Sequence, residues 1–304
     1  MAALPVLCVV AVVVFIAVRV VPGDPAALVA GDSATPEQVA SLREAMGLSK
    51  PLVAQFGLWA SGILSGDLGV SLISGKTVVS LIGDRFGPTL ALTLTTITLA
   101  ILVAVPVGVL AAWRQGMALD RLVMAASVVG FSVPVFIVGY VLVFAFARTL
   151  QWLPVQGYKP LSEGIGPFFE RLLLPTIALS LPYIALIARI VRSSVIEVMK
   201  EDFIRTARAK GASESTVLLR HALLNAAIPI VTVIGISIAT LMGGVVVTES
   251  VFNIPGLGRL VLESILSRDF SVLQGLILLF AVIYVGINLV IDILYVVVDP
   301  RIKY

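Results

Sequence analysis

The chain has 304 residues, of which 59% are hydrophobic and 13% are charged, and its formal net charge is +3. Soluble domains carry about 45–50% apolar and about 25% charged residues, so this composition excludes a water-soluble enzyme, a disordered chain and a collagen-like chain. The positive charges are spread along the sequence, and no basic block indicates nucleic-acid binding. Cys8 is the single cysteine, which excludes an internal disulfide and a metal site built from cysteines.

The apolar residues are concentrated in blocks that match a bilayer, whose hydrocarbon core requires about 20 apolar residues per helix. Lipid offers no hydrogen-bond partner to backbone N–H and C=O groups, so each block is predicted to be an α-helix. The predicted spanning helices cover residues 2–21, 88–112, 122–147, 172–188, 226–250 and 273–298. The predicted fold class is therefore an all-α membrane protein with six transmembrane helices.

Lys and Arg are distributed unevenly between the two sides of such a protein. With six helices, both termini lie on one side with segments 113–121 and 189–225, and this side carries 11 Lys and Arg in 52 residues, against 9 in 112 on the other. Basic residues in short loops stay in the cytoplasm, so both termini are predicted to be cytoplasmic. The predicted organisation is a first helix at 1–21, an external segment at 22–87 and a five-helix core at 88–304. The first helix is interpreted as retained, because it lacks a basic leader and an evident signal-peptide cleavage site.

The cytoplasmic segment 189–225 is polar and helical in pattern. An apolar stripe at helical spacing consists of Ile196, Met199, Phe203 and Ala207. Gly211 is predicted to end this helix, and Ser213 to cap the next one with Glu214 in its first turn. The pattern fits two interpretations, namely an interfacial helix on the lipid surface or a docking helix for a soluble partner.

Two stretches of this segment strongly resemble the conserved cytoplasmic loop of bacterial ABC importer permeases, specifically the dipeptide, oligopeptide and nickel branch. They are residues 201–211 (EDFIRTARAKG) and 220–229 (RHALLNAAIP). The general permease pattern is Glu-Ala-Ala, three residues, Gly, nine residues and Ile-x-Leu-Pro. Here Arg205-Thr206-Ala207 stand at the first triplet and Gly211 at the glycine, whereas His221 and Leu224 replace the Ile and the Pro. This departure from the general pattern resembles the loop sequence of the peptide branch itself.

The resemblance to this branch covers nearly the whole chain. Its signatures occur in order at Pro22-Gly23-Asp24-Pro25, 66–71 (GDLGVS), Trp152-Leu153-Pro154, 248–252 (TESVF), 254–259 (IPGLGR), Leu294-Tyr295 and Asp299-Pro300-Arg301. One departure is at the start, where relatives have a basic stretch and Met1 here runs directly into apolar residues.

The resemblance implies a non-catalytic permease subunit of an ATP-driven importer for dipeptides, oligopeptides or related small solutes in the bacterial inner membrane. It implies a second homologous permease, two ATP-binding cassette ATPase subunits that bind the ATP, and an external substrate-binding protein. It implies no cofactor in this chain. The loop 196–220 would couple to an ATPase subunit through Phe203, Arg205, Thr206, Ala207, Lys210 and Gly211.

Two features resemble enzymatic sites. The run Ser74-Gly75-Lys76-Thr77 lacks the glycine that a phosphate-binding loop needs five positions before Gly75, where Val70 stands, so nucleotide binding is not expected there. His221 is the single histidine, so it has no histidine partner for a metal site, and a packing role is predicted. An intramembrane enzyme is disfavoured because no convincing nucleophile and base pair is present.

Polar and small residues within the predicted helices define further expectations. Asp292 is expected to form an ion pair with a cytoplasmic-side arginine, with a proton or ligand site as the alternative. Glu249 is expected to be hydrated at the headgroups, with a mouth-lining or interface role as the alternative. A packing seam, including one between two permeases, is predicted at Gly235, Ala239 and Gly243. Helix kinks are predicted at Pro106, Pro134, Pro182 and Pro229.

An ATP-independent secondary carrier or channel is the alternative function. Such carriers commonly show inverted repeats and intramembrane ion ligands. This sequence shows no clear internal repeat, and only Asp292 lies well inside a predicted helix. The importer subunit is therefore the favoured interpretation.

Overall fold

The computed structural model describes residues 3–20, 25–30, 34–45, 47–71 and 73–298. The described part is almost entirely helical, and its only β-structure is an isolated bridge between Val70 and Thr77. The α-helices are α1 (Ala3–Val20), α2 (Pro25–Ala30), α3 (Pro36–Ala45), α4 (Leu52–Leu64), α5 (Val78–Trp113), α6 (Ala118–Ser132), α7 (Val135–Leu142), α8 (Ile165–Val198), α9 (Asp202–Ala209), α10 (Glu214–Thr216), α11 (Leu223–Asn225), α12 (Ala227–Gly244), α13 (Val246–Val251), α14 (Leu257–Leu266) and α15 (Phe270–Val298). A π-helical turn continues α7 through Val143–Thr149, another joins α10 to α11 through Val217–Ala222, and a 3-10 turn at Leu161–Glu163 precedes α8. The predicted all-α class is confirmed.

The apolar helices differ in length from the predicted blocks. Within the described residues, α5, α8 and α15 are each long and apolar enough to cross a membrane. Two further spans are bent pairs, Ala118–Ser132 with Val135–Thr149 at 95° and Glu214–Asn225 with Ala227–Gly243 at 59°. The apolar part of α1 found in this part of the chain, Leu4–Ala17, is shorter than a full span. By length and composition, the described residues therefore contain up to five spans, and the count of six stays a prediction.

The prolines affect the helices unequally. Pro106 lies inside α5 and Pro182 inside α8, and both helices continue through them. At Pro134, by contrast, Val133 and Pro134 are extended and α6 ends, so the predicted single helix over 122–147 is wrong. The ring of a proline disfavours a helical conformation in the preceding residue, and Val133 adopts the extended conformation that this effect favours. Pro229 is the third residue of α12, where its missing N–H leaves no intrahelical bond unmade.

The contacts divide the chain into two compact units. The first comprises residues 1–86 and 260–285, and the second comprises 87–259 and 286–304. Grouping 260–285 with the beginning of the chain was not indicated by sequence patterns. The predicted organisation into 1–21, 22–87 and 88–304 stays a prediction.

The first unit contains an aromatic cluster between α1 and α4. The ring centroids of Phe15, Phe56 and Trp59 lie 5.1–5.9 Å apart. The Arg19 guanidinium lies over the Phe15 ring and donates hydrogen bonds to the Gln55 side-chain oxygen at 3.0 and 3.1 Å. The aromatic contacts and the hydrogen-bonded cation together fix α4 along α1.

The second unit is built around α8, which packs against α6, α7, α12 and α13. Gly108 allows close approach of α5 to α8, because a Cβ there would lie 2.7 Å from the Ala188 carbonyl oxygen. Fully buried residues of this core include Leu92, Leu172 and Ile187. The same core continues at one end of α8 into the residues that hold the polar segment after it.

Candidate functional site

The polar segment after α8 is two helices joined by a glycine bend. α8 ends at Val198, and α9 begins at Asp202 after an extended residue, Glu201. This interruption changes the helical phase, so the predicted apolar stripe through Ile196, Met199, Phe203 and Ala207 on one helix is wrong. In α9 the buried residue is Ile204, whereas Phe203 is 43% exposed.

Gly211 ends α9 in a left-handed backbone conformation, with a φ of +82°. Its N–H donates to the Arg208 carbonyl at 2.9 Å, and the Ala212 N–H donates to the Ala207 carbonyl at 3.2 Å. This pair of bonds is the Schellman arrangement, which satisfies the last carbonyls of a helix and favours glycine because glycine lacks a Cβ. The prediction that Gly211 ends the helix is confirmed.

Ser213 begins the next helix. Its hydroxyl oxygen accepts a hydrogen bond from the Thr216 N–H at 3.4 Å, and its carbonyl accepts one from the Val217 N–H at 2.9 Å. The predicted N-cap is therefore confirmed, and Glu214 occupies the first turn. Residues 211–213 each carry a helix-end hydrogen bond, so the connection contains no freely extended loop.

An ion pair closes over this bend. Arg208 Nε donates to Glu214 Oε1 at 2.7 Å, and Arg208 Nη2 donates to Oε2 at 3.1 Å. The hydrogen bonds from Arg208 hold the pKa of the Glu214 carboxyl below its ordinary value, and they raise the pKa of Arg208. Both side chains are substantially solvent-exposed, so the pair restricts the geometry of the bend more than it stabilises the fold.

Apolar contacts attach the bend to the core of the second unit. Ile204 is fully buried in a cluster that also contains Val217, Leu218 and Ala222, and Ala207 and Ala212 pack against this cluster. The predicted coupling residues fall into two groups by their exposure to solvent. Ala207 faces the core, whereas the exposed ones are Phe203, Arg205, Thr206, Lys210 and Gly211. Arg205 is 77% exposed and pairs with Asp202 at 3.3 Å. The bend therefore presents a mixed basic and aromatic surface on an anchored base.

A buried ion pair that the sequence reasoning missed lies at the start of α6. Asp120 is 3% exposed, and it accepts hydrogen bonds from Arg192 Nη2 and from the Gly116 N–H, each at 2.8 Å. Arg192 Nε also donates to Asp120. The signal was an acidic residue in the first turn of α6 and an arginine within the apolar part of α8. The pair joins the turn after α5 to the end of α8 that leads into α9.

Glu249 is fully buried, so the expected hydration at the headgroups is wrong. Its Oε1 accepts a hydrogen bond from the Thr89 hydroxyl at 2.6 Å, and its Oε2 accepts one from the Arg259 N–H at 2.8 Å. A Cβ on Gly256 would lie 2.0 Å from Glu249 Oε1. The predicted helix over 226–250 is interrupted at Val245. After this break the chain turns back, so that Gly256 and Arg259 lie against Glu249.

The three small residues predicted as a seam have different surroundings. A Cβ on Gly235 would lie 2.2 Å from Ile291 Cδ1, so α12 and α15 approach closely there within this chain. Gly243 faces open space, and Ala239 is half-buried. Their role as a seam between two permeases stays a prediction.

Asp292 is exposed and forms no ion pair with any described residue, so the expected pairing is not present in this part of the chain. Arg301, with the rest of the Asp299-Pro300-Arg301 signature, lies outside the described residues, as do residues 1–2 and 22–24. No set of three His, Cys, Asp or Glu side chains among the residues described could hold a metal ion.

The run Ser74-Gly75-Lys76-Thr77 and His221, the two features that resemble enzymatic sites, both take part in the local structure of their own segments. Thr77 caps α5, because its hydroxyl accepts a hydrogen bond from the Ser80 N–H at 3.3 Å. Gly75, with a φ of +68°, turns the chain before it. His221 is half-buried in the π turn before α11, and its carbonyl accepts a hydrogen bond from Asn225 Nδ2 at 2.6 Å.

Comparisons with known proteins agree along the chain. Residues 104–304 match the family described as the inner membrane component of binding-protein-dependent transport systems, and residues 1–93 match the family described as the N-terminal part of the membrane component of such systems. A probable peptide ABC transporter permease of Sinorhizobium fredii is 50% identical over 98% of this chain and 96% of its own length. A glutathione transport system permease, GsiC of Salmonella typhimurium, is 42% identical over 99% and 96%.

The fold agrees with a solved transporter as well. An inward-facing structure of the MetNI methionine ABC transporter superposes with a TM-score of 0.61 at 21% identity, covering 73% of this chain and 97% of that chain. At this identity the match concerns the fold alone. The sequence matches extend over both ends of the chain and carry the assignment. The chain belongs to the family of inner membrane components of binding-protein-dependent transport systems, and it is a non-catalytic permease subunit of an ABC importer.

Proposed function

We propose that this permease imports dipeptides, oligopeptides or related small solutes such as glutathione. The support is the similarity, over nearly the full length, to permeases named for peptide and glutathione transport. In this proposal the chain pairs with a second homologous permease, and an external binding protein delivers the solute. Two ABC ATPase subunits bind the ATP, and the chain itself uses no cofactor.

The bend from α9 to α10 is, in this proposal, the element that docks in a cleft of one ATPase subunit. The observation that carries it is the fully hydrogen-bonded bend, whose exposed face holds Phe203, Arg205 and Lys210 and whose base is anchored by Ile204. A flexible loop would absorb a displacement of the ATPase, whereas this bend transmits it. Moving an equilibrium from 1:99 to 99:1 requires about 5.5 kcal/mol, so further contacts must contribute.

The proposed orientation places both termini and the segment 189–225 in the cytoplasm. The excess of Lys and Arg supports it. The Asp120–Arg192 pair also supports it, because it joins 113–121 to 189–225, which the orientation assigns to the same side. The proposed location is the bacterial inner membrane, with several spanning helices.

Charge reversal tests the docking. In the importer reconstituted with its partner subunits, we expect Arg205→Glu to abolish solute uptake and binding-protein-stimulated ATP hydrolysis while the permease is retained in the membrane. Arg148→Glu is the matched control, because Arg148 is exposed on the π turn after α7 and forms no ion pair with the described residues. Equal activity of both variants would contradict docking through this surface. Solute uptake by the chain alone, without an ATPase, would contradict the proposed coupling.

A further inference from the structure

The second unit contains a cavity of about 380 Å³ between α6, α7, α8 and α13. Its lining includes Phe131 and Phe136 on either side of the break between α6 and α7, Pro182 and Tyr183 of α8, and Val247 and Thr248 of α13. Its volume lies within the range of sites for small molecules, which is about 300–1,000 Å³.

The cavity lies at the middle of a long apolar helix. Pro182 is midway along α8, about 25 Å of helix from either end. Helices of this length exceed the hydrocarbon core of about 30 Å, so the cavity falls well inside the bilayer. At this depth, interrupted backbone is tolerated where it is buried in protein or borders a solvated cavity. The break at Val133 and Pro134 borders this cavity.

Unpartnered hydrogen-bonding groups are collected here. Thr248 is 3% exposed, and its hydroxyl forms no hydrogen bond with any described residue; the same holds for the hydroxyl of Tyr183. The N–H groups of Val135 and Phe136, the first two residues of α7, also form no hydrogen bond within the described part. Of these residues Thr248 is buried, and a buried hydroxyl without a partner is costly, so the Thr248 hydroxyl indicates a missing ligand that the neighbouring groups would also contact.

We propose that this cavity is a transit site for the uncharged part of a short peptide, namely a backbone amide with an apolar side chain; this inference rests on the proposed function. The apolar walls favour the side chain, and the hydroxyls and free N–H groups match the amide oxygen and nitrogen. The lining contains no charged side chain, so the charged ends of the peptide lie outside the cavity. A lipid acyl chain would fill the volume but leave the polar groups unpaired.

A protection experiment tests the site in the complete importer. In a Cys8→Ser background, Val247→Cys introduces a thiol at a cavity position that is 52% exposed, and Ile236→Cys introduces one at 48% exposure on α12 away from the cavity. The probe is the tripeptide Ala-Phe-Ala, and a membrane-permeable maleimide reports access. We expect the peptide to slow alkylation at least threefold at position 247 and to leave position 236 unchanged.

The outcomes separate this inference from the proposed function. ATP-dependent uptake of Ala-Phe-Ala without protection at position 247, or with equal protection at both positions, would overturn the site alone. Failure of the wild-type importer to take up any short peptide would overturn the proposed function, and the site with it. Protection at position 247 by lipid alone, with no further effect of peptide, would identify the cavity as a lipid site.

A pair of hydroxyl deletions gives an independent test. Thr248→Val removes the unpartnered hydroxyl at nearly constant volume, and Thr240→Val removes an exposed hydroxyl that donates to its own helix at Ile236. We expect the peptide concentration for half-protection to rise about three- to tenfold for the first variant, as for the loss of one hydrogen bond. No change for Thr248→Val, or an equal change for Thr240→Val, would overturn the assigned contact.

Discussion

Arg208 and Glu214 are joined by two hydrogen bonds, of 2.7 and 3.1 Å, that close over the bend at Gly211. The pair links the last turn of one short helix to the first turn of the next. Since both side chains are substantially exposed, its main effect is on the geometry of the bend, and the proposed function depends on that geometry.

Removing this pair should impair coupling more than stability. We expect Glu214→Gln to lower binding-protein-stimulated ATP hydrolysis several-fold while the melting temperature of the purified permease changes little, because the pair is solvent-exposed. Glu163→Gln is the matched control, since it disrupts the exposed Lys159–Glu163 pair elsewhere in the second unit. Equal losses in the two variants would contradict a specific role of the bend.

The same pair predicts a pH dependence. The pKa of Glu214 is lowered in the folded protein, so its contribution is complete above the pKa of an unfolded glutamate, about 4.3, and is lost as the pH falls through the lowered value. We expect hydrogen-exchange protection of the Gly211 and Ala212 amides, corrected for intrinsic rates, to be constant from pH 6 to 8 and to decrease at pH 3–4. Glu214→Gln should remove this acid response, and an unchanged response in that variant would assign it to another group.

Gly211→Ala should destabilise the bend through backbone strain alone. A Cβ at Gly211 would meet no atom within 4 Å, but its φ of +82° costs an L-residue about 1–2 kcal/mol. We expect a lower melting temperature or a frayed α9, measured by hydrogen exchange over 202–212. Gly243→Ala also faces open space but lies in a helix, so it should be neutral or stabilising. Reduced stability in Gly243→Ala together with unchanged stability in Gly211→Ala would contradict this prediction.

Breaking the Asp120–Arg192 pair should be more damaging. Asp120→Ala leaves Arg192 without its partner, and removing one member of a buried pair costs about 3 kcal/mol or more. We expect a large loss of folded permease, measured by size-exclusion chromatography in detergent. Asp202→Ala removes the partner of exposed Arg205 and should leave the folded yield unchanged. Similar folded yields for both variants would show that the buried Asp120–Arg192 pair is not needed for the stability of the permease.

Glu249→Gln should weaken the contact between α13 and the start of α14. One carboxylate oxygen accepts a hydrogen bond from the Thr89 hydroxyl, and the other accepts one from the Arg259 N–H. A glutamine would replace one of these oxygens with an NH₂ group, which would then face a donor and could not accept its hydrogen bond. We expect a loss of about 1–3 kcal/mol, the cost of an unsatisfied buried group, visible as a lower melting temperature. Glu170→Gln, at an exposed position of α8, should have no effect. An unchanged melting temperature for Glu249→Gln would exclude this role.

Features that depend on a few neighbouring residues were predictable from the sequence. The apolar blocks were correctly predicted to be helical, because backbone groups in lipid must bond within their own segment. Gly211 and Ser213 were correctly placed at the two sides of the bend, since a left-handed residue and an N-cap are local demands of helix ends. The family was recognisable for a similar reason, as its signatures are short and occur in order.

Only the tertiary structure decided which distant groups meet. Asp120 and Arg192 are 72 residues apart, and Glu249 bonds to Thr89 across 160 residues, so no local pattern specified either partner. The effect of each proline was also decided only by the tertiary structure, because Pro134 interrupts its helix whereas Pro182 does not. A proline removes the same kind of backbone hydrogen bond in both places, so the residue type alone does not determine whether the helix ends or continues.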